Sequence, residues 1–183
     1  MSTLMVRAFV AFELSPEMRQ QLAAAQTVLR RSSARLTFVD PAIIHITVKF
    51  LGEVDEKKIP AIIAALKTVH SDPFPVTGSR ITVNNPKRPH TVWCAIDDGG
   101  KGGEVFNAVE TVLEPLGFPR ETRSFTAHAT LARVKQADPS LFLCLEKLKG
   151  MPCGGCTVAG MKLKKSTLTS QGSIYEDLYE VKW

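Results

Sequence analysis

No stretch of the 183-residue sequence approaches the ~20 consecutive apolar residues that a helical membrane span needs. The opening VRAFVAFEL carries Arg7 and Glu13 and lacks the layout of a secretory signal, so a cytoplasmic protein is the expectation. Cysteine is scarce: Cys94, Cys144, Cys153 and Cys156 are the whole complement. The last two form CGGC, the spacing of half a zinc site or of a redox pair. No second CxxC and no HxxxH completes a metal site, and no strand–CGGC–helix order supports a thioredoxin-type motif. CGGC therefore reads as a glycine-rich turn. Carboxylates do not cluster in a way that would hold Mg²⁺, so neither a metal nor another cofactor is expected.

What is present is ordinary for a packed domain. A hydrophobic content of 44% against 22% charged residues allows a proper core, in one domain or two small lobes. The net charge of +5 is compatible with a phosphate-bearing partner such as RNA. Basic residues gather in NPKRPH (Lys87, Arg88) and MKLKKS (Lys162, Lys164, Lys165), although each group alone reads as a solvated surface.

The order of elements repeats. VRAFVAF predicts a strand, and Ser15 caps a helix that opens on Pro16 and carries Met18, Leu22, Ala25 and Leu29 at helical spacing. RLTFVD leads into a second strand, IIHITVKFLG. Asp55 caps a helix with Ile59, Ile62, Leu66 and Val69 on one face, and PVTGSRITV closes the unit. The second unit follows with TVWCAI, a helix in VFNAVETVLEPLG, a β-type run RSFTAHATLARV, a helix from Asp138 and Pro139 to Gly150, and TVAGMKLKK. His45 and His128 lie 83 residues apart, as do Thr47 and Thr130. The prediction is one α+β domain over 1–183 with an internal repeat, approximately 5–85 and 90–165, and a C-terminal segment 166–183. The two units should form pseudo-twofold-related lobes around a central cleft, with antiparallel-rich sheets inside and helices outside.

Within a strand, residues i and i+2 share a face. His45 and Thr47 therefore point one way, with Ile44, Ile46, Val48 and Phe50 packed beneath; Lys49 is expected beside His45, where it can reach solvent. His128 and Thr130 share a face likewise. One His-x-Thr match is weak, since about 0.3 is expected by chance in such a composition, but two at equivalent points of a repeat carry weight. Two imidazoles facing across a cleft suit metal-free acid–base cleavage of a phosphodiester. The neutral ring takes a proton from water, the cationic ring protonates the departing sugar oxygen, and the threonine hydroxyls hold the non-bridging oxygens.

With HITVKFLG and SFTAHATLARV in view, and RAFVAFELSPE, RPHTVW and GSIYEDL elsewhere, the chain resembles the 2H phosphoesterases. Within them it is similar to the RNA 2′,3′-cyclic phosphodiesterase or 2′-5′ RNA ligase (LigT/ThpR-like) branch. The resemblance implies a bilobal fold with His45, Thr47, His128 and Thr130 in its cleft. It implies hydrolysis of a terminal RNA 2′,3′-cyclic phosphate to a 2′-phosphomonoester, with ligation of 2′-5′ RNA ends as the reverse-type activity. It also makes His45 the proton donor and His128 the proton acceptor, an order the symmetric motifs leave open. The family motif extends to Arg133, a phosphate-binding candidate. Strict alternation sets Arg133 on the face opposite His128, so only a bulge or a strand end would turn it inward. Ala127 and Ala129 are smaller than is usual for the family.

Two other readings stay open on the sequence: a non-catalytic nucleotide or RNA-binding module, and a 2H phosphodiesterase for 2′-5′ oligonucleotides or another small nucleotide ester. His70 and His90 are expected to face solvent. A chain that builds its own cleft is expected to act as a monomer on RNA ends or nucleotides.

Overall fold

A computed structural model describes residues 4–183. Its strands are β1 (Met5–Glu13), β2 (Arg35–Phe38), β3 (His45–Asp55), β4 (Phe74–Val83), β5 (Thr91–Asp97), β6 (His128–Gln136), β7 (Gly155–Val158), β8 (Gly160–Thr169) and β9 (Gly172–Lys182). Its helices are α1 (Pro16–Leu29), α2 (Ile59–Leu66), α3 (Lys101–Leu113) and α4 (Pro139–Lys147). Among the described residues no helix is long and apolar enough to cross a membrane.

Local chemistry sets the helix boundaries. The Ser15 hydroxyl accepts the Met18 N–H at 3.2 Å, Pro16 opens α1, and Met18, Leu22, Ala25 and Leu29 are buried along one stripe. Asp55 accepts the Lys57 N–H at 3.0 Å in the short 3₁₀ turn that leads into α2. Asp138 accepts the Ser140 N–H at 2.8 Å ahead of α4. Gly117, at φ 91°, ends the turn after α3, where a left-handed residue reverses the chain. The CGGC stretch is a turn into β7 with Gly154 at φ 77°, and Cys153 is buried against Cys94 beneath Gly78.

All nine strands belong to one curled antiparallel sheet, in the order β7-β4-β5-β6-β3-β1-β8-β9, with β2 alongside β6. The order is symmetric about the β3–β6 contact, which is a single residue pair, Ile46 opposite Ala129. One half is β3-β1-β8-β9 and the other β6-β5-β4-β7. The sheet halves therefore interleave the sequence units. β4 closes the first unit but pairs with β5 of the second, and β8 closes the second but pairs with β1 of the first. Each unit's last strand completes the edge of the other unit's first strand, so neither half is contiguous in sequence.

α1 packs against α4 and α2 against α3. Gln26 of α1 donates to the Leu131 and Val39 carbonyls, which ties the helix under β6. Residues 166–183, expected only as a C-terminal segment, form most of the β8–β9 hairpin that edges the first half.

Candidate active site

β3 and β6 carry the two motifs at the seam of the sheet. Because Ile46 stands opposite Ala129, a regular ladder brings His45 beside Thr130 and Thr47 beside His128. The two histidines are then diagonal neighbours on one face, with backbones about 7–8 Å apart in such a ladder. The pseudo-twofold axis passes between Ile46 and Ala129, both fully buried.

Each imidazole is held the same way. His45 Nδ1 lies 2.8 Å from the Ile43 carbonyl, and His128 Nδ1 lies 2.7 Å from the Thr126 carbonyl. A carbonyl can only accept, so Nδ1 carries the proton in both rings and Nε2 is left as the reactive atom. His45 Nε2 is 3.0 Å from the Thr47 hydroxyl, which donates to it in the neutral state. Aromatic rings fix the planes. Phe9 and Tyr175 flank His45 with centroids at 5.0 and 5.4 Å, and Trp93 lies against His128 at 4.2 Å.

Both histidines are pushed below their ordinary pKa. For each, burial is the main cause, since it disfavours the cation. The Ile43 and Thr126 carbonyls work upward, favouring the protonated rings. The neighbouring charges differ between the two. His45 has Glu13 working upward against Lys164 and Arg19 working downward, whereas His128 has Arg133 working downward. Burial raises the Glu13 carboxyl, but Lys164 (2.6 Å) and Arg19 outweigh it and hold Glu13 below the carboxylate range.

The register corrects three expectations from strict alternation. In β3, Thr47 stands opposite Ala11 but Lys49 stands opposite Val10, so Val48 is an extra residue and the alternation resets. Lys49 therefore leaves the cleft face. It is buried, with Nζ 2.6 Å from Glu110 Oε1 and 2.9 Å from the Pro119 carbonyl. Phe50, expected beneath the sheet, pairs with Phe9 on the cleft face and is 63% exposed. In β6 the same device recurs: Thr130 stands opposite Trp93 and Ala132 opposite Val92, so Leu131 is extra. Arg133, on the cleft face after all, pairs with Thr91 and donates to its hydroxyl at 3.0 Å.

The register thus gathers His45, Thr47, His128, Thr130 and Arg133 on one face of the sheet. Sequence reasoning missed the aromatic residues Phe9, Phe50, Trp93 and Tyr175. The repeat held a signal for one of them, since Phe50 and Arg133 each lie five residues after their histidine. His70 and His90 are exposed and lie outside the site.

The family model described as LigT like Phosphoesterase matches residues 12–94, which include the first motif. An Archaeoglobus fulgidus protein named RNA 2′,3′-cyclic phosphodiesterase is 33% identical over 174 residues, covering 94% of this chain and 98% of that one. A protein of the same name from Methanocaldococcus jannaschii is 32% identical over 178 residues, covering 96% and 99%. Among solved structures, TT0787 of Thermus thermophilus superposes with a TM-score of 0.79 at 26% identity, covering 96% and 97%. E. coli LigT complexed with 3′-AMP superposes at 0.80 and 20% identity, covering 98% of both chains, which speaks for the fold.

Proposed function

The chain belongs to the LigT-like phosphoesterases of the 2H family, and from that membership we propose that it hydrolyses the terminal 2′,3′-cyclic phosphate of RNA to a 2′-phosphomonoester. The observation that carries the reading is the pair of Nε2 atoms, each freed for proton transfer by an Nδ1–carbonyl bond and set on one face of the sheet seam.

The roles are those the family resemblance implies; the charges beside His45 act both ways, Glu13 for its proton and Lys164 and Arg19 against it, while Arg133 acts against a proton on His128. Protonated His45 delivers its Nε2 proton to the departing 3′ oxygen, and neutral His128 takes a proton from the attacking water. Attack of the water oxygen on phosphorus and cleavage of the P–O3′ bond leave the phosphate on O2′. The hydroxyls of Thr47 and Thr130 and the Arg133 guanidinium hold the non-bridging oxygens, where negative charge develops. Phe50, exposed beside Phe9, offers a stacking face for the terminal base. The chemistry as written uses only side chains, and ligation would use the same proton transfers with a 5′-hydroxyl in place of water, its attack on phosphorus and cleavage of the P–O3′ bond leaving a 2′-5′ linkage. The enzyme is read as a monomer of the cytoplasm.

Incubation with RNA ending in a 2′,3′-cyclic phosphate tests the reading, with the product identified as a 2′- or 3′-monophosphate. A 2′-phosphate is expected. A 3′-phosphate would reverse the leaving group, and no turnover would leave a binding module.

A further inference from the structure

The cations around the cleft divide into two kinds. On the first sheet half, Lys162 and Lys164 pair with Asp177 at 2.5 and 2.7 Å, and Lys164 also pairs with Glu13. Their charge is compensated within the protein. On the second half, β6 continues past Arg133 to Lys135, an extra residue in the register with β2, whose Arg35 stands opposite Gln136. Thr37 stands opposite Arg133, which puts the alternate β2 position, Arg35, on the same face. Arg35, Arg133 and Lys135 are all exposed.

The β4–β5 hairpin adds two more cations. The Asn85 side chain accepts the N–H groups of Lys87 and Arg88 at 2.9 and 3.3 Å, and Asn84 accepts those of His90 and Thr91. The loop is thereby a fixed turn. Its base is sewn to β6 by the Val134 N–H donating to the His90 carbonyl at 2.9 Å, next to Lys135. Among the described residues none of Arg35, Lys87, Arg88, Arg133 and Lys135 forms an ion pair. The acidic residues nearest in sequence, Asp40 to Arg35, Asp138 to Arg133 and Lys135, and Asp97 to Lys87 and Arg88, turn their carboxylates to the Ala42, Ser140 and Gly99 N–H groups. The shelf therefore lacks internal compensation and begins at the residue that holds the reacting phosphate.

We propose that this shelf, formed by Lys135, Arg35, Lys87 and Arg88 beyond Arg133, carries the phosphates of the RNA strand on the 5′ side of the terminal nucleotide. The substrate is then the end of a single-stranded RNA rather than a free cyclic nucleotide. The proposal rests on the hydrolytic reading for its direction. With the terminal base on the aromatic side at Phe50, the chain leaves across Arg133 toward the uncompensated cations. Such a run of cations acts on a polyanion chiefly through counterion release, which makes salt dependence its signature.

The test is binding of a short single-stranded RNA ending in a 2′-phosphate, followed by fluorescence anisotropy over a KCl series, beside the mononucleotide 2′-phosphate. The RNA should bind tighter, with a log–log salt slope steeper by about 0.7 for each additional phosphate engaged. The paired variants Arg35→Gln with Lys135→Gln, and Lys87→Gln with Arg88→Gln, should each weaken RNA binding on the order of tenfold at low salt and flatten the slope by about 0.7 per cation removed. Mononucleotide binding and hydrolysis of the cyclic mononucleotide should stay at the wild-type level. Unchanged RNA affinity and slope in both variants would overturn the shelf, as would equal affinity for RNA and mononucleotide in the wild type. Salt-dependent RNA binding without turnover of any cyclic phosphate would keep the shelf and sink the hydrolysis.

Discussion

Phe50 and Arg133 occupy the same position in the two halves of the sheet, five residues after their histidines, each turned onto the cleft face by one extra residue. The device is duplicated and its occupants differ, an aromatic ring in one half and a guanidinium in the other. A pseudo-symmetric scaffold thus gains an apolar side and a cationic side, which the proposed function assigns to a base and to phosphate. The two residues should separate in kinetics. Phe50→Ala should raise KM with little change in kcat, because a stacking contact is made equally in ground and transition states. Arg133→Ala should lower kcat, because charge on the phosphate oxygens grows in the transition state. Steady-state kinetics on a cyclic mononucleotide read both, and a kcat loss confined to Phe50→Ala would refute the division.

Replacing either histidine should cost about 10²–10⁴ in kcat, the usual yield of one general acid or base. His45→Ala and His128→Ala should nevertheless melt near the wild type, since each ring's hydrogen bonds go only to residues two positions away in sequence and tie no distant elements together. Phosphate release and a thermal melt decide the point. Full activity in His128→Ala would exclude the acid–base pair. Activity should also survive EDTA; loss restored by Mg²⁺ would count against a two-imidazole mechanism.

Both imidazoles titrate below their ordinary value, so the kcat/KM profile of the free enzyme should peak on the acid side of about pH 6.5. Raising the pH removes the proton His45 must donate, and lowering it occupies the base on His128. Stability has the opposite arrangement from a salt-bridged histidine. The unfolded chain binds these protons more readily, so the contribution is complete above about pH 6.5 and is lost as pH falls through the lowered folded values. Denaturant melts at several pH values should show a steeper acid loss in the wild type than in His45→Gln. An equal loss in both would mean that His45 does not supply it.

Lys49 and Glu110 form a buried pair that also binds the loop leading to the second motif. Lys49 donates to the Pro119 carbonyl, and Glu110 Oε2 accepts the Glu121 N–H at 2.9 Å. Lys49→Ala leaves a buried carboxylate without its cation and should cost about 3–5 kcal/mol. Lys49→Met combined with Glu110→Leu should recover part of that cost, because the isolated charge is gone while the Glu121 N–H remains orphaned. Urea unfolding of the single and double variants measures it, and a Lys49→Ala change below about 1 kcal/mol would mean that water reaches the pair.

The sequence by itself determined the elements and the reactive groups. Caps, helical spacing and apolar alternation are local, so the helices beginning near Pro16 and Pro139 and the β-type runs around His45 and His128 were legible from neighbouring residues. The repeat supplied the pairing of the motifs. Tertiary structure decided what non-local hydrogen bonding decides. Which strand lies beside which is set by partners far away in the chain, and here β4 and β8 exchange places between the units. A bulge is one unpaired residue against a partner strand, so nothing in HITVKF or HATLAR announces Val48 or Leu131 as the extra one. Val48 sent Lys49 to Glu110 and turned Phe50 onto the face that carries the histidines, and Leu131 did the same for Arg133.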